Sequence, residues 1–269
     1  MIRTASVDDL PALRELFARG NEAPYDLARV AEEKCFGAGI WGKPVVRVYG
    51  NREGAVVTCG KYVRVLVVDR DARGRGIGSA LLADAEARGA SVIGAEAGNY
   101  FVPGVPEALA GFFGKRGYVQ TAETWNLSAS VTAPHPGPLP ARAERGDSER
   151  VLSFIDEHFG RIWRFEAARA FERDEPTMFV TEERGELTGF AAHDVNNRGL
   201  GFFGPTGVRR DMRGRGLGCA LLLASLGDLG RLGYERAVIP WTDALDFYRK
   251  CCGAEPAHRF ITFALDSAR

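Results

Sequence analysis

Long hydrophobic runs are missing from this 269-residue sequence, and no apolar stretch approaches the roughly 20 residues that a helix needs to cross a bilayer. The first residues, Met1 to Ser6, lack the apolar core of a signal peptide and read as a first strand. Charge of one sign is missing too. Thirty-five Lys and Arg balance 35 Asp and Glu, so no global field recruits nucleic acid or a membrane surface. Cysteine is scarce. Cys35, Cys59, Cys219, Cys251 and Cys252 make an odd number without paired metal-ligand spacing, and adjacent Cys251 and Cys252 cannot bridge each other without strain. A cytoplasmic, reduced protein without a metal site is the expectation. What remains is 45% hydrophobic and 26% charged, an ordinary globular composition in a chain long enough for two domains.

One six-residue pattern occurs twice. Arg73-Gly74-Arg75-Gly76-Ile77-Gly78 returns 140 positions later as Arg213-Gly214-Arg215-Gly216-Leu217-Gly218, half the chain away. Each copy follows a strand-like apolar run (Val63 to Val68; Phe202 to Val208) and precedes a helix-like one (Ala80 to Ala83; Ala220 to Leu223). A strand, a glycine turn and a helix N-terminus suit phosphate binding: the first helical amides lack partners, and glycine permits close approach. A Walker loop is excluded because no lysine precedes Ser79 or Cys219. A dinucleotide fingerprint fits poorly, since those two residues stand where its last glycine belongs.

Arg73-x-x-Gly76-x-Gly78 and Arg213-x-x-Gly216-x-Gly218 resemble the acyl-CoA signature of the GNAT superfamily of N-acetyltransferases, Arg/Gln-x-x-Gly-x-Gly/Ala, in tandem form. The resemblance implies an α+β fold of two GNAT-like domains, each a mixed, mostly antiparallel twisted sheet flanked by helices. It also implies acetyl-CoA as cosubstrate, held by residues 73–78 and 213–218. Backbone amides of the strand before each turn would polarise the thioester, which makes Leu66, Val67, Val68, Thr206, Gly207 and Val208 candidates.

Prolines alternate from Pro134 to Pro140, and such spacing favours an extended spacer. The expected organisation is a first domain over 1–131, a linker over 132–147 containing a solvent-exposed His135, and a second domain over 148–269. In the first half the pattern predicts strands at 2–5, 45–49, 55–59, 62–68, 91–95 and 118–127, and helices from Ser6, at 26–36, 79–88 and 106–115. In the second it predicts helix over 154–173 broken near Gly160, strands at 177–181, 187–194, 200–208, 236–240 and 259–265, and helices at 219–232 and 244–251. No starting strand is read for the second half, for which the first half's tail is the available source.

Acetyl transfer to an amine needs a neutral amine, a polarised carbonyl and a proton for the departing thiolate. Many GNAT members carry Asn-x-x-Ala-x-x-x-Tyr with Gly-Phe/Tyr shortly after, its tyrosine near the CoA sulfur. Here Ala244 and Tyr248 match while Trp241 stands for asparagine, so the resemblance makes Tyr248 the candidate general acid, with a core aromatic as the alternative. The first half places Phe113 at that position, and Phe113 has no proton to give. Gly253 follows Tyr248 one position later than Gly117 follows Phe113, which implies an extra residue at that helix end. For the base, His193 beside Asp194 is the candidate, with Glu96 behind it and a water relay as the option that leaves no mark. Cys251 and Cys252 read either as nucleophiles or as buried thiols. Asn99 to Pro106, aromatic and proline-rich and leaving its strand toward the expected ligand cleft, reads as the lining of a substrate or domain interface or as a rigid connection capping the next helix. The function expected is acetyl-CoA-dependent N-acetylation of a small amine, catalysed in the second half, with CoA binding in both. The rival is a noncatalytic acyl-CoA sensor or interaction protein.

Overall fold

A computed structural model describes residues 1–99, 101–131 and 140–266. The chain forms two compact units, Met1–Thr124 with His258–Arg269, and Trp125–Ala257. His135 and Tyr100 lie outside the described residues, as does the first half of the expected linker, 132–139.

In the first unit, β1 (Ile2–Thr4), β2 (Val45–Tyr49), β3 (Gly54–Cys59) and β4 (Tyr62–Val68) form an antiparallel succession. Next to β4 lies β5 (Val92–Ile93), parallel and paired only through Tyr62↔Val92 and Val63↔Ile93. β4 continues to Val68 while β5 stops, so the two strands open a wedge. Helices α1 (Leu10–Gly20) and α2 (Ala31–Phe36) precede β2. The second is shorter than the 26–36 helix expected.

Between β4 and β5 runs α3 (Ile77–Glu86), whose Ile77, Leu81, Leu82 and Ala85 recur at helical spacing and are buried. They pack with Val56, Ile93, Val105, Phe113, Ile261 and Phe263 as the unit's core. Fully burying each large aliphatic contributes about 1.5–3 kcal/mol, and this fixes the helix whose first turn carries the glycines. The unit also contains β6 (Val105–Pro106) and α4 (Ala110–Gly114).

The long strands β7 (Tyr118–Ser130) and β13 (Glu255–Leu265) divide between the units. In the first unit β13 pairs antiparallel with β5 through Phe263↔Ile93, and residues 118–124 lie beside it, with Thr121 Oγ1 2.8 Å from Thr262 Oγ1. In the second unit residues 125–130 pair antiparallel with β12 (Arg236–Thr242) through Ala129↔Ala237 and Leu127↔Ile239. Each unit therefore includes a strand segment from the other half of the sequence.

After its β7 segment the second unit has β8 (Ala141–Arg142), a strand that the sequence pattern did not predict. The first half's tail lies beside β12. Then come α5 (Ser148–Phe159), Gly160 at φ 89°, and α6 (Arg161–Ala167), the interruption expected within 154–173. β9 (Met178–Glu183), β10 (Glu186–His193) and β11 (Phe203–Val208) follow, all antiparallel. After them stand α7 (Leu217–Arg231) and, beyond β12, α8 (Leu245–Cys252). A single parallel bridge, Phe202↔Val238, joins the β11 side to β12, and the strands diverge beyond it. The core gathers α7's Leu221, Leu222, Leu226 and Leu229 with Leu127, Phe203, Ile239 and Tyr248.

Candidate functional site

The two glycine turns share their backbone conformation and two of their arginine contacts. Arg73 Nε donates to Val68 O at 3.3 Å, and Arg213 Nε donates to Val208 O at 3.2 Å. Arg75 pairs with Glu53 at 2.5 Å, and Arg215 with Glu183 at 2.8 Å. Gly74 and Gly76 sit at φ 76° and 80°, Gly214 and Gly216 at 78° and 81°, a left-handed conformation that disfavours side chains. No side chain caps α3 or α7, so their first amides face the open side of the turn. A Cβ on any of these four glycines would meet nothing within 4 Å, whereas one on Gly78 would lie 3.4 Å from Phe112 and one on Gly218 3.5 Å from Phe247. Phe112 and Phe247 are thus equivalent, and so are Phe113 and Tyr248.

In the first unit the wedge opens into a cavity of about 530 Å³. Leu66, Val67, Val68, Arg73, Gly74, Gly76, Ile77 and Gly78 line it, while Arg75 does not. Across the wedge Arg64 meets Glu96: Nε lies 2.9 Å from Oε2, with a further bond from Nη2 to Oε1. Both side chains are buried. Burial works against the Arg64 charge, but Glu96 outweighs it and holds the guanidinium above its ordinary value. Asn99 Nδ2 also donates to Glu96 Oε2 at 3.3 Å. Glu96, the second candidate base, is therefore engaged by a cation. Phe101, Val102 and Gly104 line the same cavity.

Counting from the parallel pairs Tyr62↔Val92 and Phe202↔Val238, Ala95 corresponds to Trp241, and both have positive φ, 53° and 48°. By the same count, Arg64 and Glu96 correspond to Gly204 and Thr242. A Cβ on Gly204 would meet nothing within 4 Å. Thr206, Gly207 and Val208 end β11 half-buried, with Thr206 Oγ1 donating to Phe190 O at 3.0 Å. The ring of Phe159 lies against Gly207 and leaves no room for a side chain there. Tyr248 is 8% exposed, edge-on to Phe247 at 5.0 Å. Burial, with smaller contributions from Cys252, Cys251 and Asp243, pushes its phenol up to about 12. Burial likewise pushes the Cys251 thiol up to about 12, which fits a protonated thiol rather than a nucleophile.

His193 requires a correction. It is wholly buried, stacked on Phe179, with Nε2 2.6 Å from Asp228 Oδ2 and Nδ1 without a partner among the described residues. An imidazole so enclosed does not touch an acceptor amine. Burial lowers its pKa, and Asp228 opposes this only in part, so the neutral ring donates from Nε2 to the carboxylate. Burial would raise the Asp228 carboxyl, but hydrogen bonds from His193, Arg142 and Arg231 outweigh it and hold it below the carboxylate range. Asp228 and Arg142 were not singled out in the sequence, although a lone Asp within apolar α7 is a usable signal.

The sign of the resulting pH dependence follows from the depressed His193 value. The unfolded state takes up the proton near pH 6.5 while the folded state does not, so this stability is present above that pH and is lost as pH falls below it. The urea midpoint should drop from pH 7 toward 5, and His193→Gln, which still donates to Asp228, should flatten that slope. A slope unchanged by the substitution would remove His193 as its source.

Among the described residues no three His, Cys, Asp or Glu form a metal cluster, and no helix is long and apolar enough to cross a membrane. Residues 45–127 match a family model described as "Acetyltransferase (GNAT) domain", and residues 145–254 match "Acetyltransferase (GNAT) family". The chain is 29% identical over 196 residues to a mycothiol acetyltransferase of Thermobispora bispora, the match covering 65% of each protein. In fold it is similar to a GCN5-related glucosamine N-acetyltransferase region of a fungal multidomain GH3 β-N-acetylglucosaminidase, at TM-score 0.77 and 18% identity over 98% of this chain and 38% of that one. It is also similar to a tandem GNAT protein of the clavulanic acid biosynthesis pathway, at TM-score 0.67 and 18% identity over 98% and 97%.

Proposed function

The chain belongs to the GNAT acetyltransferase family, with one family domain in each half, and from that premise we propose an acetyl-CoA-dependent N-acetyltransferase of a small amine whose reaction centre lies in the second unit. The observation that carries the assignment is Tyr248, whose equivalent in the first unit is Phe113. A phenol held up near 12 is protonated at neutral pH and available to a departing sulfur. The contrast between Gly204 and Thr242 and the paired Arg64 and Glu96 points the same way, because the first unit's wedge is spanned by a buried ion pair.

In this reading the turn at 213–218 holds the CoA phosphates and the amides of Thr206, Gly207 and Val208 face the thioester carbonyl. A neutral amine attacks that carbon. The N–C bond forms, the C–S bond breaks, Tyr248 protonates the sulfur, and the amine's surplus proton leaves to water, from which the tyrosinate is reprotonated, since His193 and Glu96 are both engaged elsewhere. The first unit keeps acyl-CoA binding. Its cavity and Phe113 favour a noncatalytic role there, the sensor reading confined to one half.

The test follows thiol release from acetyl-CoA, with product mass, across an amine panel that begins with glucosamine, the amine named for one structural neighbour. One acetyl group per released thiol is expected. Binding of acetyl-CoA with no transfer across the panel would leave the sensor reading for the whole chain.

A further inference from the structure

Beside each turn, one pair of side chains differs in chemistry. Arg116 stands four residues after Phe112, one helical turn on, and Cys251 stands four after Phe247. Their neighbours across the gap are Ser79 and Cys219, each the residue after the last turn glycine. In the first unit Arg116 reaches Ser79 Oγ with Nε at 3.2 Å and Nη2 at 2.5 Å, and Nη1 donates to Phe112 O at 2.6 Å. Its guanidinium carbon lies 3.7 Å from the centroid of the Phe112 ring. The side chain is half-buried and lines the cavity together with Gly74, Gly76, Gly78 and Ser79.

The turn's own arginines are already neutralised. Arg73 pairs with Glu22 at 2.6 Å, and Arg75 pairs with Glu53. Arg116 has no carboxylate within 4.0 Å among the described residues, and three hydrogen bonds leave two of its five N–H groups unused. A fixed, uncompensated guanidinium at the phosphate end of a cavity is an anion grip. In the second unit that place holds two thiols, and of the two turn arginines Arg213, which is exposed, has no carboxylate within 4.0 Å among the described residues while Arg215 pairs with Glu183.

We infer that Arg116, anchored on Ser79 and Phe112, is a phosphate-binding residue that gives the first unit its own grip on the CoA nucleotide, with no counterpart in the second. The inference rests on the reading that both turns bind acyl-CoA. Either the diphosphate or the 3′-phosphate is the group it meets, and both present the same oxyanion chemistry.

The experiment is calorimetric titration of the full chain with CoA and with dephospho-CoA. The wild-type protein should show two sites. Arg116→Cys, which installs the second unit's residue, should weaken one of them by about 10- to 100-fold and leave the other unchanged, as expected for losing a charge-assisted bond. Arg116→Lys keeps the charge and much of the packing, and should recover part of the loss, which separates recognition from misfolding. If the 3′-phosphate is the group held, dephospho-CoA binds the wild-type site as weakly as CoA binds the Cys variant. If the diphosphate is held, the Cys variant weakens for both ligands alike. Two wild-type sites that are both indifferent to Arg116→Cys would overturn the role of Arg116 alone. A wild-type protein that binds no CoA would overturn the acetyltransferase reading itself.

Discussion

Tyr248→Phe should lower acetyl transfer by about 10²- to 10⁴-fold, the usual loss on removing a general acid, while acetyl-CoA affinity stays close to wild type. Phenylalanine keeps the edge-on contacts with Phe247 at 5.0 Å and Phe203 at 6.4 Å, so the core around α8 survives and the thermal midpoint should barely move. Only the proton is removed. A phenol near 12 facing a free thiol near 8.5 in water would be a poor match, but burial that raises the phenol also raises the basicity of a sulfur leaving beside it. Rates for substrates with a more acidic leaving thiol should depend less on the substitution. Turnover unchanged in Tyr248→Phe would take this residue out of the mechanism.

Gly216→Asp should abolish turnover at practical acetyl-CoA concentrations. Gly216 is at φ 81°, a conformation that Asp tolerates better than most residues, and its Cβ direction is open for 4 Å, so the fold should accommodate the side chain. The carboxylate then stands beside the uncapped amides of α7, where at the proposed phosphate site it would replace attraction by like-charge repulsion. Gly216→Asn carries the same shape without the charge. It should lose far less, and equal losses in both variants would point to backbone strain instead of electrostatics.

Much of the fold was legible because local chemistry dictates it. The repeated turn, the apolar spacing of Leu81, Leu82 and Ala85, and the break at Gly160 are all short-range features. The exchange of β7 and β13 between the units was not. Residues 118–127 read as strand whichever sheet their halves join, since pairing partners more than 100 residues away leave no mark on local periodicity. At the site, Leu66, Val67, Val68 and the turn residues 73–78 other than Arg75 line one cavity, and Tyr248 takes the place of Phe113. His193 misled because a strand-end histidine beside an aspartate looks the same whether it faces solvent or the Asp228 carboxylate behind it. Arg64 carried a usable signal, a charge inside the apolar run Val63 to Val68, and pointed to a buried partner. Arg116 did not, because its contact with Ser79 depends on how α4 lies across α3.

The division of labour between the halves is tested most directly by acetyl-transfer turnover in Gly76→Asp, measured on the full chain alongside its acetyl-CoA stoichiometry. Gly76 is at φ 80° with an open Cβ direction, so the substitution is matched to Gly216→Asp in every respect but its unit. The expected result is one binding site lost and turnover largely kept. Turnover abolished by Gly76→Asp and retained by Gly216→Asp would place the reaction in the first unit and contradict the account.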